Sequence, residues 1–202
     1  MANVLIQFAH PVLSKSRVHK TLLNQCSNLT NVTINDLYER YPDLYIDIER
    51  EQRLLLKHDI IIFQHPFYWY SSPAIVKQWF DLVLEHNWAY GSKGNALVGK
   101  KMMSVISCGG SREAYSPEGS NRYTVNQFLA PFDQTATLCK MTYLPPFVIH
   151  RTHRLAQTQL DEYGQQYRTM LLALAGERME LPIFQGKDYM NDFIPTLDGQ
   201  LN

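Results

Sequence analysis

The sequence has no excess of either charge: 19 lysines and arginines face 19 aspartates and glutamates in 202 residues. That balance removes the electrostatic case for a nucleic-acid partner or an anionic lipid surface. Long apolar runs are missing too. Stretches such as Ile60 to Phe63 are far shorter than the roughly 20 residues a membrane-spanning helix needs. The apolar start Val4 to Phe8 runs straight into polar residues and Pro11, with no basic leader or small-residue cleavage site. Cysteine is scarce. Cys26, Cys108 and Cys139 are odd in number, far apart and without CxxC spacing, which excludes a disulfide framework and points to a reduced, cytoplasmic location. Three chemical signatures are absent as well. There is no G-x-G-x-x-G, no G-x-x-x-x-G-K-[ST] and no H-E-x-x-H, hence no dinucleotide fingerprint, P-loop or zincin helix. His65, His86, His150 and His153 lack ligand spacing and read as structural or surface histidines, so no metal is expected and a metal hydrolase is the weakest reading.

What is there is a globular chain, 45% hydrophobic, long enough for one domain with a sizeable core. Strand-like and helix-like stretches alternate. Val4 to Phe8, Val32 to Ile34, Asp59 to Gln64, Met102 to Ile106 and Tyr143 to Ile149 read as strands, the last one at an edge because it holds two prolines. Asp59 to Gln64 is apolar throughout, as a central parallel strand covered on both faces should be. Helices are expected from about Ser16, from Asp47 (with Ile48, Leu55 and Leu56 on one face), from Ala74, over Thr124 to Thr137 with a bend at Pro131, and over Thr158 to Ala175. Asp36 to Tyr45 reads as an irregular connection, and the tail from Glu180 as irregular also. The alternation implies an α/β domain over residues 1–179, with a parallel sheet and right-handed crossovers. Residues 180–202 form a tail packed on the domain or on a dimer partner.

In such a sheet, ligands bind beyond the carboxyl ends of the strands. Three loops leave those ends, and each is unusual. Ala9 to His19 offers hydroxyls and a helix N-terminus suited to phosphate, with Arg17 and His19 as charge-assisted partners; taken alone it reads first as a capped helix with Ser14 or Ser16 as N-cap. His65 to Pro73 releases Phe67, Tyr68, Trp69 and Tyr70 in succession. Those rings can wall a flat heteroaromatic group or plug the space between two helices. Ser107 to Glu113 carries Gly109 and Gly110, which let backbone N–H groups approach a ligand or simply make a turn. Cys108 has no partner histidine by motif and reads as a passive thiol. Together the three loops supply what a flavin mononucleotide site requires.

At these loops the chain resembles the NAD(P)H dehydrogenase (quinone) family, which includes ancillary proteins of glutathione-gated bacterial potassium-efflux (Kef-type) systems. The resemblance rests on Ala9-His10-Pro11 with Ser16, Phe63-Gln64-His65-Pro66 with Trp69-Tyr70, Pro73 to Asp81, Trp88-Ala89-Tyr90-Gly91 and Gly109-Gly110. The Kef-type branch looks nearest, from Asp36-Leu37-Tyr38, Tyr41-Pro42-Asp43, Ile46-Asp47-Ile48 and Leu144-Pro145-Pro146-Phe147. The resemblance implies a flavodoxin-like three-layer sandwich with a five-stranded parallel sheet in the order 2-1-3-4-5. It implies FMN rather than FAD, NAD(P)H as cosubstrate, a quinone-like acceptor and ping-pong hydride transfer. His10, Ser16, Arg17, Val18 and His19 would line the phosphate and ribityl chain. Pro66, Phe67, Tyr68 and Trp69 would follow one edge of the ring, and Ser107, Cys108, Gly109 and Gly110 its pyrimidine edge. Tyr115 and Asn121 would stand near the reacting edge, Asn121 where the quinone reductases have a histidine. The family is dimeric, with Tyr90 walling the partner's pocket. The alternative is a regulatory subunit docked on a membrane potassium-efflux protein, cytoplasmic or peripheral at the inner membrane through that partner. Arg151, His153 and Arg154 could serve such docking, although they read first as a solvated surface.

Overall fold

The computed structural model describes residues 1–26, 28–176 and 188–194. Six strands form one parallel sheet: β1 (Val4–Phe8), β2 (Val32–Asp36), β3 (Ile60–Pro66), β4 (Lys101–Ser107), β5 (Thr142–Tyr143) and β6 (Phe147–Ile149). The order is β2-β1-β3-β4-β5, and β6 also pairs with β4. The expected edge strand from Tyr143 to Ile149 is thus interrupted. Pro145 and Pro146 have no N–H to give the ladder, so pairing with β4 stops after Tyr143 and resumes at Phe147.

Side chains of the central strands alternate between two cores, as the pleat requires. Leu5, Ile61, Phe63, Met102 and Ile106 pack on one face against α3 (Ile48–Lys57), α4 (Ala74–Val83) and the pair α5 (Val125–Phe128) and α6 (Ala130–Leu138). Val4, Ile6, Phe8, Ile62, Met103 and Val105 pack on the other against α1 (Arg17–Asn24) and α7 (Gln157–Ala175). The result is the expected three-layer flavodoxin-like sandwich.

Caps place the helix starts where side chains can satisfy free N–H groups. Ser16 caps α1, Asp47 caps α3 and Thr124 caps α5 with a reciprocal bond to Gln127. The helix expected over Thr124 to Thr137 divides at Leu129, with Pro131 in the first turn of α6 where a missing N–H costs nothing. Two expectations need correction. Asp36 to Tyr45 is not wholly irregular, because Asp36 caps the single-turn α2 (Leu37–Arg40). Leu56 does not share the buried face of α3: it is 53% exposed, and Glu51 is buried in its place.

Of the expected tail, residues 180–187 and 195–202 lie outside the described residues, as does the boundary at 179. Residues 188–194 pack on the split edge of the sheet. The Met190 N–H donates to the Pro146 carbonyl, and the Asn191 side-chain oxygen accepts from the Val148 N–H, both at 2.8 Å. Arg112 bonds both carboxylate oxygens of Asp192, at 2.7 and 2.8 Å. An exposed strand edge is covered in this way.

Candidate functional site

Backbone bonds hold the carboxyl ends of the strands side by side. The Ala9 N–H donates to the Gln64 carbonyl, Phe67 to Ser107, and Cys108 to Ile149, all at 2.8 to 2.9 Å. The three loops singled out from sequence therefore open at one rim, together with the loop after β6. Two adjoining clefts lie there.

The first, of about 570 Å³, is lined by His10, Ser16, Arg17, Val18, Pro66, Phe67, Tyr68, Ser107 and Gly109 among the expected residues. Lys15, Thr152 and His153 complete it. The α1 N-terminus opens here, with no acidic residue in its first turn, so its free N–H groups and partial positive charge remain available to an anion. Ser16 spends its side-chain oxygen on the His19 N–H at 3.1 Å, so the capping reading and the cleft reading hold together. The Arg17 guanidinium is tethered by the Leu155 carbonyl and the Gln157 side-chain oxygen, at 3.4 and 3.2 Å. His10 accepts the Val12 N–H at Nδ1, 3.1 Å, and burial lowers its pKa. The neutral ring then carries its hydrogen on Nε2.

The second cleft, of about 370 Å³, is lined by Phe67, Trp69, Tyr70, Gly110, Ala114, Tyr115, Ser120 and Asn121. Trp69 and Tyr70 both have positive φ, 50° and 62°, a conformation that is strained for bulky residues and gathers at functional sites. It leaves the Trp69 side 93% exposed at the rim. Tyr115 is buried against Phe67, Phe128 and His150. Burial pushes its phenol well up, with Cys108 adding to the effect, so it remains an O–H donor near neutral pH. The Tyr70 hydroxyl donates to the Asn121 side-chain oxygen at 3.4 Å. Gly110 is needed for closeness: a Cβ there would stand 2.8 Å from the Tyr115 ring.

Three expected residues line neither cleft. His19 is fully buried behind the first one, bonded to Ser107 and Gln64. Cys108 is buried too, and the fold supplies the histidine that sequence spacing did not: His150 Nδ1 lies 3.2 Å from its sulfur. Burial nevertheless pushes the thiol up to about 12 and lowers the imidazole, so the pair is neutral and the passive reading of Cys108 stands. Tyr90 packs its ring on His86 at 5.4 Å.

Sequence reasoning missed Lys15 and Thr152 and read His153 as a surface or docking residue, whereas it lines the first cleft. Lys15 sits inside the first loop and could have been named with Arg17. Thr152 and His153 reach the cleft only because the loop after β6 is tied to the glycine loop, Arg151 N–H to Gly110 and Thr152 N–H to Cys108. Among the described residues, no group of three or more His, Cys, Asp and Glu side chains is placed to hold a metal ion, and no helix is long and apolar enough to cross a membrane.

The flavodoxin-like fold family matches residues 2–171. The glutathione-regulated potassium-efflux system ancillary protein KefG of Pectobacterium carotovorum is 44% identical over 164 residues, 81% of this chain and 90% of that protein. The general stress protein 14 of Treponema denticola, solved in complex with FMN, superposes with a TM-score of 0.81 at 39% identity, covering 85% of this chain and 99% of that one. An NADPH-quinone reductase from P. pentosaceus gives a TM-score of 0.77 at 33% identity, covering 83% of this chain and 96% of that one.

Proposed function

The chain belongs to the flavodoxin-like fold family, and from that premise we propose that it is an FMN-dependent NAD(P)H:quinone oxidoreductase. The observation that carries the reading is the continuity of the two clefts at one rim: an anion-receptive helix terminus at one end, an aromatic and glycine-walled slot at the other, with Phe67 shared between them. The residues fit FMN. The α1 N-terminus with Lys15 and Arg17 suits the phosphate; Pro66, Phe67, Tyr68 and Trp69 suit one edge of the flat ring; Ser107, Gly109 and Gly110 suit its polar edge. His19 and Cys108 contribute from behind, through Ser107 and through the backbone.

Bound FMN would supply the two-electron chemistry, accepting hydride from NAD(P)H and passing it to a quinone in a ping-pong cycle. The protein supplies the rest. Gly109 and Gly110 expose backbone N–H groups as an anion-stabilising edge, in the manner of an oxyanion hole. Tyr115 holds its proton on the phenol and can donate it to developing charge. Trp69 and Tyr70 wall the slot in which nicotinamide and acceptor would alternate, and Asn121 offers a hydrogen bond but no proton at neutral pH. The reading takes the protein as a cytoplasmic homodimer in which the partner's Tyr90 closes the slot. It takes residues 1–179 as the catalytic domain and 180–202 as its tail.

The KefG relatives favour a second reading, in which the flavin-bearing protein serves chiefly as an ancillary subunit of a potassium-efflux membrane protein, peripheral at the inner membrane. One experiment separates them. The purified protein is loaded with FMN, desalted and given NADH or NADPH under anaerobic conditions, then a quinone. Retained colour that bleaches and returns within seconds supports the enzyme. Retained colour that bleaches over hours favours the ancillary subunit. Loss of all flavin on desalting overturns both.

A further inference from the structure

Behind the first cleft a chain of hydrogen bonds runs along the face of the sheet that α1 and α7 cover. It begins at Tyr167 on α7, whose hydroxyl donates to Gln64 Oε1 on β3 at 2.7 Å. Gln64 Nε2 faces His19 Nδ1 on α1 at 3.3 Å. His19 Nε2 meets the Ser107 hydroxyl at the end of β4, 2.9 Å away. Tyr167, Gln64 and His19 are all fully buried, so water settles none of these bonds. Only Ser107 reaches the cleft.

The chain has a direction. An amide nitrogen donates and cannot accept, so the His19 Nδ1 it faces must be the bare nitrogen. A neutral imidazole then carries its one hydrogen on Nε2 and gives it to Ser107 Oγ. His19 is held neutral, since burial, with His10 and His65 nearby, puts its pKa well below the usual value. The Ser107 hydrogen cannot point back at an N–H donor. Among the described residues no other protein group accepts it, which leaves the cleft. The reverse direction would turn the Gln64 amide over and oblige Tyr167 to donate elsewhere. Its other neighbour is Cys26, whose sulfur is a weak acceptor.

We propose that His19 is a positioning residue: locked by Gln64 as the Nε2–H tautomer, it turns the Ser107 hydroxyl into the cleft as a one-way donor to an acceptor atom of bound FMN. This rests on the flavin reading above. The match is chemical, because the polar edge of oxidised flavin and its phosphate present mostly acceptors. A hydroxyl free to rotate would spend part of its time offering lone pairs to those acceptors, and the buried chain prevents this.

The tautomer can be read without any flavin. In protein carrying ¹⁵N-histidine, long-range proton–nitrogen correlation, assigned by the signal lost in His19→Asn, should show Nε2 protonated and Nδ1 bare. The pattern should persist from about pH 8 to about pH 5.5, where free imidazole titrates. The opposite tautomer, or a titrating ring, overturns the proposal. FMN affinity supplies the second readout. Ser107→Ala should weaken it about three- to tenfold, the worth of one neutral hydrogen bond, and Ser107→Thr should restore it. Gln64→Glu keeps Ser107 but can only accept from His19, which reverses the chain. It should weaken FMN as much as Ser107→Ala, with the double variant no weaker than either. An additive double variant overturns the proposal, and should Gln64→Glu fail to fold, the native tautomer decides alone. Failure of the native protein to bind FMN sinks the flavin reading; FMN binding with the opposite tautomer sinks only the relay.

Discussion

The indole N–H of Trp79 donates to the fully buried Glu51 carboxylate at 2.9 Å, joining α4 to α3 inside the hydrophobic core. Gln7, Asn35, Tyr41 and Arg50 donate to the same group. Five donors on one carboxylate satisfy it, which is the condition under which a buried charge is tolerable. Glu51→Ala should therefore cost about 3–5 kcal/mol, because it takes the acceptor from the buried Gln7, Tyr41 and Trp79 donors at once. Urea unfolding measures this. A loss below about 1 kcal/mol would show that the donors find water or one another instead.

His65 stores a different sensitivity. Its ring is fully buried and stacked on Phe132, its Nδ1 lies 2.9 Å from the Pro66 carbonyl, and its Nε2 has no partner among the described residues. Burial lowers its pKa to about 4, whereas the unfolded chain titrates near 6.5. Between those values the unfolded state binds more protons, so the stability is whole above about pH 6.5 and is lost as pH falls toward 4. The size of the loss is about 3 kcal/mol. His65→Phe should lower the acid loss in that range by about 3 kcal/mol and leave the share of buried His19, whose pKa burial also lowers. An acid loss as large as the native protein's would mean that the sensitivity resides in other groups.

Most of the architecture was legible because parallel strands buried on both faces announce themselves. Val4 to Phe8 and the apolar run after Asp59 could hardly be anything else. The rim loops were legible for a related reason, since a strand end that releases four aromatics or paired glycines departs from ordinary turn chemistry. What escaped notice depends on distant partners. The burial of Glu51 is one example, since nothing local to α3 reveals its partner Trp79, 28 residues away in the chain. His19 was assigned to the phosphate loop from its position there. Its side chain turns inward instead, because the strand ends bring Ser107 and Gln64 against the first turn of α1. His153 joined the cleft only through the tie between the loop after β6 and the glycine loop.

Of the two glycines at the rim, Gly110 is the less replaceable. A Cβ at Gly109 would meet the His153 ring at 3.3 Å, a side chain that can yield, whereas one at Gly110 would press on the packed Tyr115 ring at 2.8 Å and stand 3.4 Å from Asn121. Gly110→Ala should displace Tyr115 and weaken FMN binding by about tenfold or more, a cost of about 1.4 kcal/mol. Gly109→Ala should be milder. Parallel fluorescence titrations compare them, and an equal effect would mean that backbone conformation, not the Tyr115 contact, sets the requirement.

Asn121 gives the sharpest test of how the second cleft handles charge. It lies with Tyr115 and Tyr70 in that cleft, and its amide can donate a hydrogen bond but cannot gain a proton near neutrality. Asn121→His would place a titrating group beside the slot. Rapid-mixing measurement of flavin reduction by NAD(P)H across pH should then show a rate increase of about tenfold or more below about pH 6.5, where an imidazole becomes a cation able to stabilise developing negative charge. The native profile serves as the baseline, because the neighbouring cleft is the same in both proteins. Profiles that superimpose would show that position 121 does not act on the reduction step. A faster variant would show that a side chain able to gain a proton at position 121 speeds the reduction step.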